Sequence, residues 1–139
     1  MTQADAQHGT PKPTIFAVLE LLRDQPARVN LKVHHVDGAY TLRIARLEGA
    51  FPWHDHADAE EAWIVIRGRV RFRSAGGDAE AGPGDIAVSP AQLRHSPLAL
   101  EDDTIVVVVN RRDFPLNYID SEMSSEQANY VERELAEHT

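Results

Sequence analysis

Three side chains near the middle of the chain have the types and the spacing of metal ligands. His54 and His56 lie two positions apart, and on a β-strand this spacing directs both imidazoles to the same face. Their nitrogens can then converge on one ion about 2 Å away. Glu61 begins the next apolar segment, so a turn over 57–60 would bring its carboxylate back beside the pair. Neutral imidazoles with one carboxylate suit Fe(II), Mn(II), Ni(II), Zn(II) or Cu(II).

Short segments with a period of two surround these residues and predict a protein built mainly of β-strands. Asp37 and Gly38, which tolerate the positive φ angles of a tight turn, join the first two segments into a hairpin. The other segments are bounded by Gly, Pro or Asp-rich stretches. The predicted strands cover residues 29–36, 40–47, 51–56, 62–67, 69–74, 86–89, 95–100 and 104–110.

The ligand residues stand in a longer pattern that resembles the cupin superfamily, specifically its small single-domain members. The first motif of that family is matched by Gly49, His54, His56, Glu61 and Gly68, and the second by Gly84, Asp85, Pro90 and His95. Glu60 is the competing choice for the acid, but only Glu61 keeps the six-residue gap before Gly68. The resemblance covers about residues 30–110 and implies an all-β double-stranded β-helix, a jelly-roll barrel. It also implies that His95 is the third imidazole of the metal site.

Two segments with helical spacing flank the strands. Residues 14–24 predict a short N-terminal helix, and residues 124–137 predict a C-terminal helix that starts at a capping box of Ser124 and Gln127. The chain is therefore expected to divide into a flexible N-terminal tail, a cupin barrel with its leading helix, and a C-terminal extension with a helix. These parts are residues 1–13, 14–113 and 114–139.

The second motif departs from the family pattern at Gln92, where the family prefers Gly. A Gly at that position supplies positive φ in the turn before the ligand histidine, and Gln would cost about 1 kcal/mol in the same turn. We therefore expect a slightly different turn with His95 kept as a ligand. Gly49 is one residue closer to His54 than usual, and Ala99 stands where Asn is frequent.

Four further residues are candidates for lining the pocket. Trp63 and Val65 share the face of Glu61 by strand alternation, although inward aromatic residues in small barrels usually only fill the interior. Arg43 and Arg46 fall on opposite faces of their strand, so one of them should point inward. An inward Arg near a metal would favour an anionic substrate such as a carboxylate or an enolate.

The resemblance implies one divalent transition metal and a small-molecule ligand or substrate. The first hypothesis is a metal-dependent enzyme acting on a small polar or carboxylated molecule, by dioxygenation or by isomerase or lyase chemistry. The alternative is a non-catalytic module that binds a metal and a small ligand, as a sensor or in storage. A third reading is sugar or nucleotide-sugar isomerisation that uses the histidines as bases without metal.

The composition of the chain limits which binding partners and which cellular compartment we expect. The net charge of −8 makes nucleic-acid binding unlikely, and the stripe of alternate arginines over 67–73 is expected to pair with carboxylates. No apolar run is long enough for a membrane helix and the start lacks a signal peptide, so we expect a cytoplasmic protein. The chain has no Cys, which excludes thiol ligands and nucleophiles. Residues 104–109 are apolar on both faces, which predicts cover by another sheet or by the second subunit of a homodimer.

Overall fold

The structure, a computed structural model, describes residues 10–25, 28–113, 117–118 and 131–134. These residues form one helix and eleven strands. The helix α1 spans Val18–Arg23, and no helix among the described residues is long and apolar enough to cross a membrane. The strands are β1 Val29–Val36, β2 Tyr40–Leu47, β3 His54–Asp55, β4 Glu61–Arg67, β5 Val70–Ser74, β6 Ala79–Ala81, β7 Ile86–Ser89, β8 His95–Ala99, β9 Thr104–Arg111, β10 Asn117–Tyr118 and β11 Val131–Glu134.

The strands form two sheets, which confirms the predicted all-β jelly roll. The larger sheet has the order β11-β1-β2-β9-β4-β7, and the smaller one the order β10-β3-β8-β5-β6. Neighbouring strands are antiparallel except for β1 and β11, which are parallel. His54 and His95 lie in the smaller sheet and Glu61 lies in the larger one. The candidate ligands therefore meet only because the two sheets pack face to face.

Strand alternation separates two apolar clusters. The cluster between the sheets consists of Ala45, Leu47, Trp63, Val65, Val70, Phe72, Ala81, Val106 and Val108. A second cluster lies on the outer face of the larger sheet and consists of Leu22, Val29, Leu31, Val33, Ile44 and Ile105. Because successive side chains point to opposite faces, β9 contributes to both clusters.

The doubly apolar strand β9 is covered on its outer side by α1 of the same chain. Leu22 of the helix is fully buried in the outer cluster together with Ile105, and Val107 packs against that cluster. The apolar outer face of β9 therefore needs no second subunit to explain it. A homodimer stays a prediction.

Both predicted helices need correction. The N-terminal helix begins at Val18, with Ala17 as its N-cap, and not at residue 14. Ile15, whose spacing indicated the earlier start, is 83% exposed and adds no packing that would extend the helix. The C-terminal helix is wrong over Val131–Glu134, which form β11 parallel to β1. The rest of the range 124–137 lies outside the described residues, as do residues 1–9 of the predicted tail.

The predicted strands agree closely with the structure, and the bounds of β1, β2 and β7 are the predicted ones. The first hairpin has positive φ at Asp37 (54°) and Gly38 (66°), as expected. The segment over 51–56 shortens to the two residues of β3. The sequence reading missed β6 and the two strands of the C-terminal part, β10 and β11.

The arginine stripe of residues 67–73 makes ion pairs on the outer face of the smaller sheet and at its end. Arg67 pairs with Asp103 at 2.5 Å, and Arg71 pairs with Glu80 at 3.0 Å. Arg73 bonds the side chain and the carbonyl of Ser96 on β8. Arg69 also lies 3.7 Å from Glu80, so three of the four arginines in the stripe pair with carboxylates, as expected.

Gly68 joins β4 to β5 at a point where no side chain fits. Its φ is 78°, and a Cβ there would lie 2.8 Å from the Cα of Thr104. We expect Gly68→Ala to lower the free energy of unfolding by about 3 kcal/mol, since both backbone strain and overlap with Thr104 oppose it. Urea unfolding measures the change. Gly77→Ala is the matched control, because Gly77 also has positive φ (115°) but open space around it, and should lose only about 1 kcal/mol. Equal losses in the two variants would contradict the role of Thr104.

Candidate metal centre

Three imidazoles and one carboxylate meet between the sheets. His54 on β3 is the cross-strand partner of His95 on β8, His56 follows β3 directly, and Glu61 is the first residue of β4. All four side chains are buried, and each offers a ligand atom within 4.8 Å of those of the others. The four residues that sequence reasoning selected are thus positioned to bind one metal ion.

Backbone carbonyls fix the orientation of two of the imidazoles. Nδ1 of His54 donates to the carbonyl of Pro52 at 2.7 Å, and Nδ1 of His95 donates to the carbonyl of Leu93 at 2.8 Å. A carbonyl can only accept, so the proton lies on Nδ1 in both rings. Nε2 of each ring is then left with a lone pair that can bind a metal.

The turn before His95 is not the one that we predict from the sequence. Gln92 has positive φ (65°), so Gln itself takes the backbone conformation that favours Gly. Its backbone N–H donates to the carbonyl of His56 at 2.7 Å. This bond connects the turn that carries His95 to the segment that carries His56. The strained conformation is therefore held by a contact inside the site.

The carboxylate of Glu61 uses its two oxygens differently. Oε2 accepts a hydrogen bond from Nδ2 of Asn110 at 3.2 Å. Oε1 lies 3.5 Å from Nε2 of His56 and 3.7 Å from Nε2 of His95. Burial acts to raise the pKa of Glu61, but the neighbouring imidazoles of His56 and His95 outweigh it and lower the pKa to about 2. The group is therefore a carboxylate anion at neutral pH.

These groups fit a cation. Burial and the neighbouring His95 lower the pKa of His54 to about 4, so this ring is neutral at pH 7 and can be a ligand. Oε1 of Glu61 and Nε2 of His95 have no hydrogen-bond partner among the described residues. A buried anion without full compensation is costly, and a divalent ion at the centre of the four groups would compensate it. The four residues are thus positioned to bind a metal ion.

The other candidates of the sequence analysis lie around the site in different places. Trp63 and Val65 belong to the apolar cluster between the sheets, where Trp63 packs edge-on against Phe72 at 5.5 Å, so they fill the interior. Arg43 shares the inward face of Ala45, and its Nη1 is buried with no hydrogen-bond partner among the described residues.

Arg46 does not belong to the pocket. Its guanidinium lies on the outer face of the larger sheet, where it donates to the carbonyls of Leu22 and Gln25 and pairs with Asp103 at 3.0 Å. The physical reason is strand alternation, which places Arg43 and Arg46 on opposite faces of β2. Arg46 anchors the end of α1 to the sheet.

A cavity of about 400 Å³ reaches the site from the gap between β6 and β7, which are the edge strands of the two sheets. His95 lies in its lining, and Ser74 and Ser89 supply hydroxyl groups. The other lining residues are Phe72, Gly77, Ala79, Glu80, Ala81, Asp85, Ile86, Ala87, Val88 and Leu93. This cavity is large enough for a small molecule.

Sequence reasoning missed Asn110, the residue that bonds Glu61. Asn110 is 4% exposed and lies on β9 directly opposite Glu61. The signal was present, because Asn110 follows Val106 and Val108 at intervals of two and so shares their inward face. A polar residue in phase with an inward apolar stripe indicates a buried polar partner.

Comparison with known proteins supports the assignment of the fold. Residues 42–110 match the family model described as a cupin domain. A cupin-2 domain containing protein from Shewanella frigidimarina is 29% identical, with a TM-score of 0.50 over 52% of this chain and 71% of that one. An uncharacterized conserved protein with a double-stranded β-helix domain from Klebsiella pneumoniae is 18% identical, with a TM-score of 0.62 over 75% and 89%.

KdgF from a Halomonas species has a similar structure at 22% identity, with a TM-score of 0.55 over 63% of this chain and 82% of that one. At this identity, as for the Klebsiella protein, the likeness shows the fold. No curated protein matches the chain.

Replacing Gln92 with Gly should stabilise the protein. Glycine adopts φ of 65° without a penalty from Cβ, so we expect Gln92→Gly to raise the free energy of unfolding by about 1 kcal/mol. Urea unfolding of the metal-free protein measures the gain. Ala91→Gly is the matched control, since Ala91 has ordinary negative φ and its replacement should destabilise. A loss of stability in Gln92→Gly would show that its side chain matters more than its backbone.

The metal-free protein should lose stability as the pH falls. The pKa of His54 is about 4 in the folded protein and 6.5 ordinarily, so between these values only the unfolded chain takes up the proton. The contribution of His54 is complete above pH 6.5 and decreases by about 3 kcal/mol by pH 4. Urea unfolding in a chelator, at intervals from pH 7.5 to 4, measures this slope.

His54→Asn removes the titrating ring and keeps a side-chain donor for the carbonyl of Pro52. We expect a flatter pH dependence in this variant, whereas His34→Asn, which changes an exposed histidine, should leave the slope unchanged. An unchanged slope in His54→Asn would contradict the assignment of the pH dependence to His54.

Proposed function

The chain carries a domain of the cupin superfamily, and we propose that this domain is a metal-dependent enzyme acting on a small polar or carboxylated molecule. The proposal includes one divalent transition ion, Fe, Mn, Ni, Zn or Cu, held by His54, His56, Glu61 and His95. The observation that carries it is the buried cluster of four donors beside a cavity that reaches His95. When bound, such an ion supplies Lewis-acid polarisation of a substrate oxygen and, if redox active, electron transfer to O₂.

The residues of the chain prepare this site and its surroundings in three ways. The carbonyls of Pro52 and Leu93 hold the Nδ1 protons of His54 and His95, so that both rings present Nε2. Trp63 and Phe72 pack against each other in the apolar interior between the sheets. Ser89, on β7 opposite Glu61, places a hydroxyl group in the cavity lining, where it can orient a polar substrate.

The residues that line the cavity also limit the charge that a substrate can carry. None of its lining residues is Lys or Arg, while Asp85 contributes negative charge and the charge of Glu80 is paired with Arg71. A multiply charged anion would find no cation there apart from the metal. We therefore expect a neutral molecule or one with a single carboxylate, and its apolar part would contact the Ala side chains of β6 and β7.

The side chains near the cavity favour dioxygenation over isomerase or lyase chemistry as the first reaction to test. Isomerisation and elimination need a base that removes a proton next to a carbonyl group. Glu80 pairs with Arg71 at 3.0 Å, and the carboxylate of Asp85 accepts a hydrogen bond from the backbone of Gly82 at 2.8 Å. Both acids of the cavity lining are thus engaged in other contacts.

The second candidate function is binding without turnover, since the same four donors and the same cavity would hold a metal and a small ligand in a sensor or storage protein. A metal-free isomerase that uses the histidines as bases is the third. The pKa of about 4 for His54 makes this ring a weak base, which counts against it.

The proposal further includes a cytoplasmic location and a homodimer. The apolar side chains of Ile86 and Val88 on the edge strand β7 are 66% and 57% exposed, and they offer a surface for a second copy. Light scattering of the untagged protein determines the oligomeric state.

Metal content tests the site directly. Untagged wild-type protein should contain close to one equivalent of a transition metal by elemental analysis, and His56→Ala should contain less than about a tenth of that, because a buried ligand is lost. His34→Ala is the matched control, since His34 is an exposed histidine outside the cluster and its loss should change nothing. Equal metal in wild type and His56→Ala would remove the basis of the proposal.

Activity separates the candidate functions. Oxygen uptake with a panel of enolisable monocarboxylic acids that stops on chelation supports dioxygenation. Product formation without oxygen uptake supports isomerase or lyase chemistry, and full activity in chelator supports the metal-free isomerase. Saturable binding with no turnover of any compound would favour the binding module.

A further inference from the structure

We propose that Asn110 is a positioning residue that fixes the orientation of the Glu61 carboxylate for metal binding. This inference rests on the proposed function, because it requires Glu61 to be a metal ligand. It goes further by assigning a role to a residue outside the four donors. The observation that supports it is the hydrogen bond that Nδ2 of Asn110 donates to Oε2 of Glu61.

The geometry of this bond determines which oxygen faces the imidazoles. Oε2 is occupied by the amide of Asn110, and Oε1 is the atom that approaches Nε2 of His56 and of His95. Rotation of the carboxylate about its last bond would break the hydrogen bond in a place where both residues are at least nine-tenths buried. A buried acceptor without its donor costs about 1 to 3 kcal/mol. The amide therefore keeps the carboxylate in one orientation.

The amide donor also suits a ligand that must remain an anion. A neutral N–H stabilises the carboxylate without bringing a positive charge that would compete with a metal ion. An Arg or a Lys at this position would form an ion pair with Glu61 and lower its tendency to bind a cation. Asn110 supplies the hydrogen bond and leaves the charge for the metal.

Asn110 lies in a row of polar residues that crosses the inner face of the larger sheet, and its Oδ1 has no hydrogen-bond partner among the described residues. The register pairs His35 with Thr41, Thr41 with Asn110, and Asn110 with Glu61. The side chains of His35 and Thr41 are joined at 3.0 Å, and Thr41 is 1% exposed. The next row along the strands contains Arg43, Val108 and Trp63. Polar side chains thus occupy the row beside the metal site, and Arg43 is a polar member of the row that follows.

The experiment measures the affinity of metal-free protein for Co(II), by competition with a chelator, together with the visible absorption spectrum of the Co(II) protein. Asn110→Leu keeps the size of the side chain and removes the donor. We expect it to bind Co(II) 10- to 100-fold more weakly and to shift the spectrum, because the carboxylate is no longer fixed. Asn110→Gln restores an amide donor and should recover affinity to within about 10-fold of wild type.

Thr104→Val is the matched control. Thr104 lies on the same strand as Asn110 and is fully buried, and the variant also loses a polar atom, the hydroxyl that donates to the carbonyl of Glu101. Its Co(II) affinity should stay within about threefold of wild type, since no bond between Thr104 and the four donors is present in the described structure. A fall in thermal stability shared by Asn110→Leu and Thr104→Val would not produce the spectral shift.

The outcomes distinguish a failure of this inference from a failure of the proposed metal site. If wild-type protein binds no Co(II), the metal site fails and the role of Asn110 fails with it. If wild type binds Co(II) and Asn110→Leu binds it within threefold with an unchanged spectrum, the role of Asn110 alone is overturned. Equal weakening by Thr104→Val and Asn110→Leu would also overturn it, because the effect would not depend on the hydrogen bond.

Discussion

A carboxylate anion buried between two β-sheets is the constraint on which this structure depends. Glu61 is 5% exposed and has one neutral donor, Asn110, with three imidazoles around its other oxygen. Such an anion is tolerated only when its surroundings return the solvation that water would give. The chain meets part of this cost with polar groups on the inner face of the larger sheet. The rest of the cost is the driving force that would draw a cation into the site.

The imidazole rings of the smaller sheet lie near this anion, and local hydrogen bonds fix their orientation. In both His54 and His95 the ring bonds a carbonyl two residues before it, so each short segment orients its own ligand. The bond between Gln92 and His56 then ties the two segments together. Local contacts set the direction of each donor, and sheet packing sets the distance between donors. This division explains how β3, a strand of only two residues, can position the imidazole of His54 accurately.

The features that sequence could reveal are those with a short period. Alternation identified the strands and the shared face of His54 and His56, and the cupin resemblance added His95. Contacts between distant segments were not visible: the capping box at Ser124 indicated a helix, whereas pairing with β1 makes Val131–Glu134 a strand. Gln92 has a backbone conformation that its own preference opposes, in a turn whose N–H donates to the carbonyl of His56. Arg46 was ambiguous until the contact of α1 showed which face of β2 is outside.

The pairing of β10 gives the C-terminal part of the chain an influence on the centre. Asn117 and Tyr118 pair through the backbone with Asp55 and His54, so β3 has a strand on each side. A chain cut after Asp113 would contain all four donors and still leave β3 as an unprotected sheet edge. Proteolysis at this end would thus weaken the binding of a metal ion without removing any of the four donor residues.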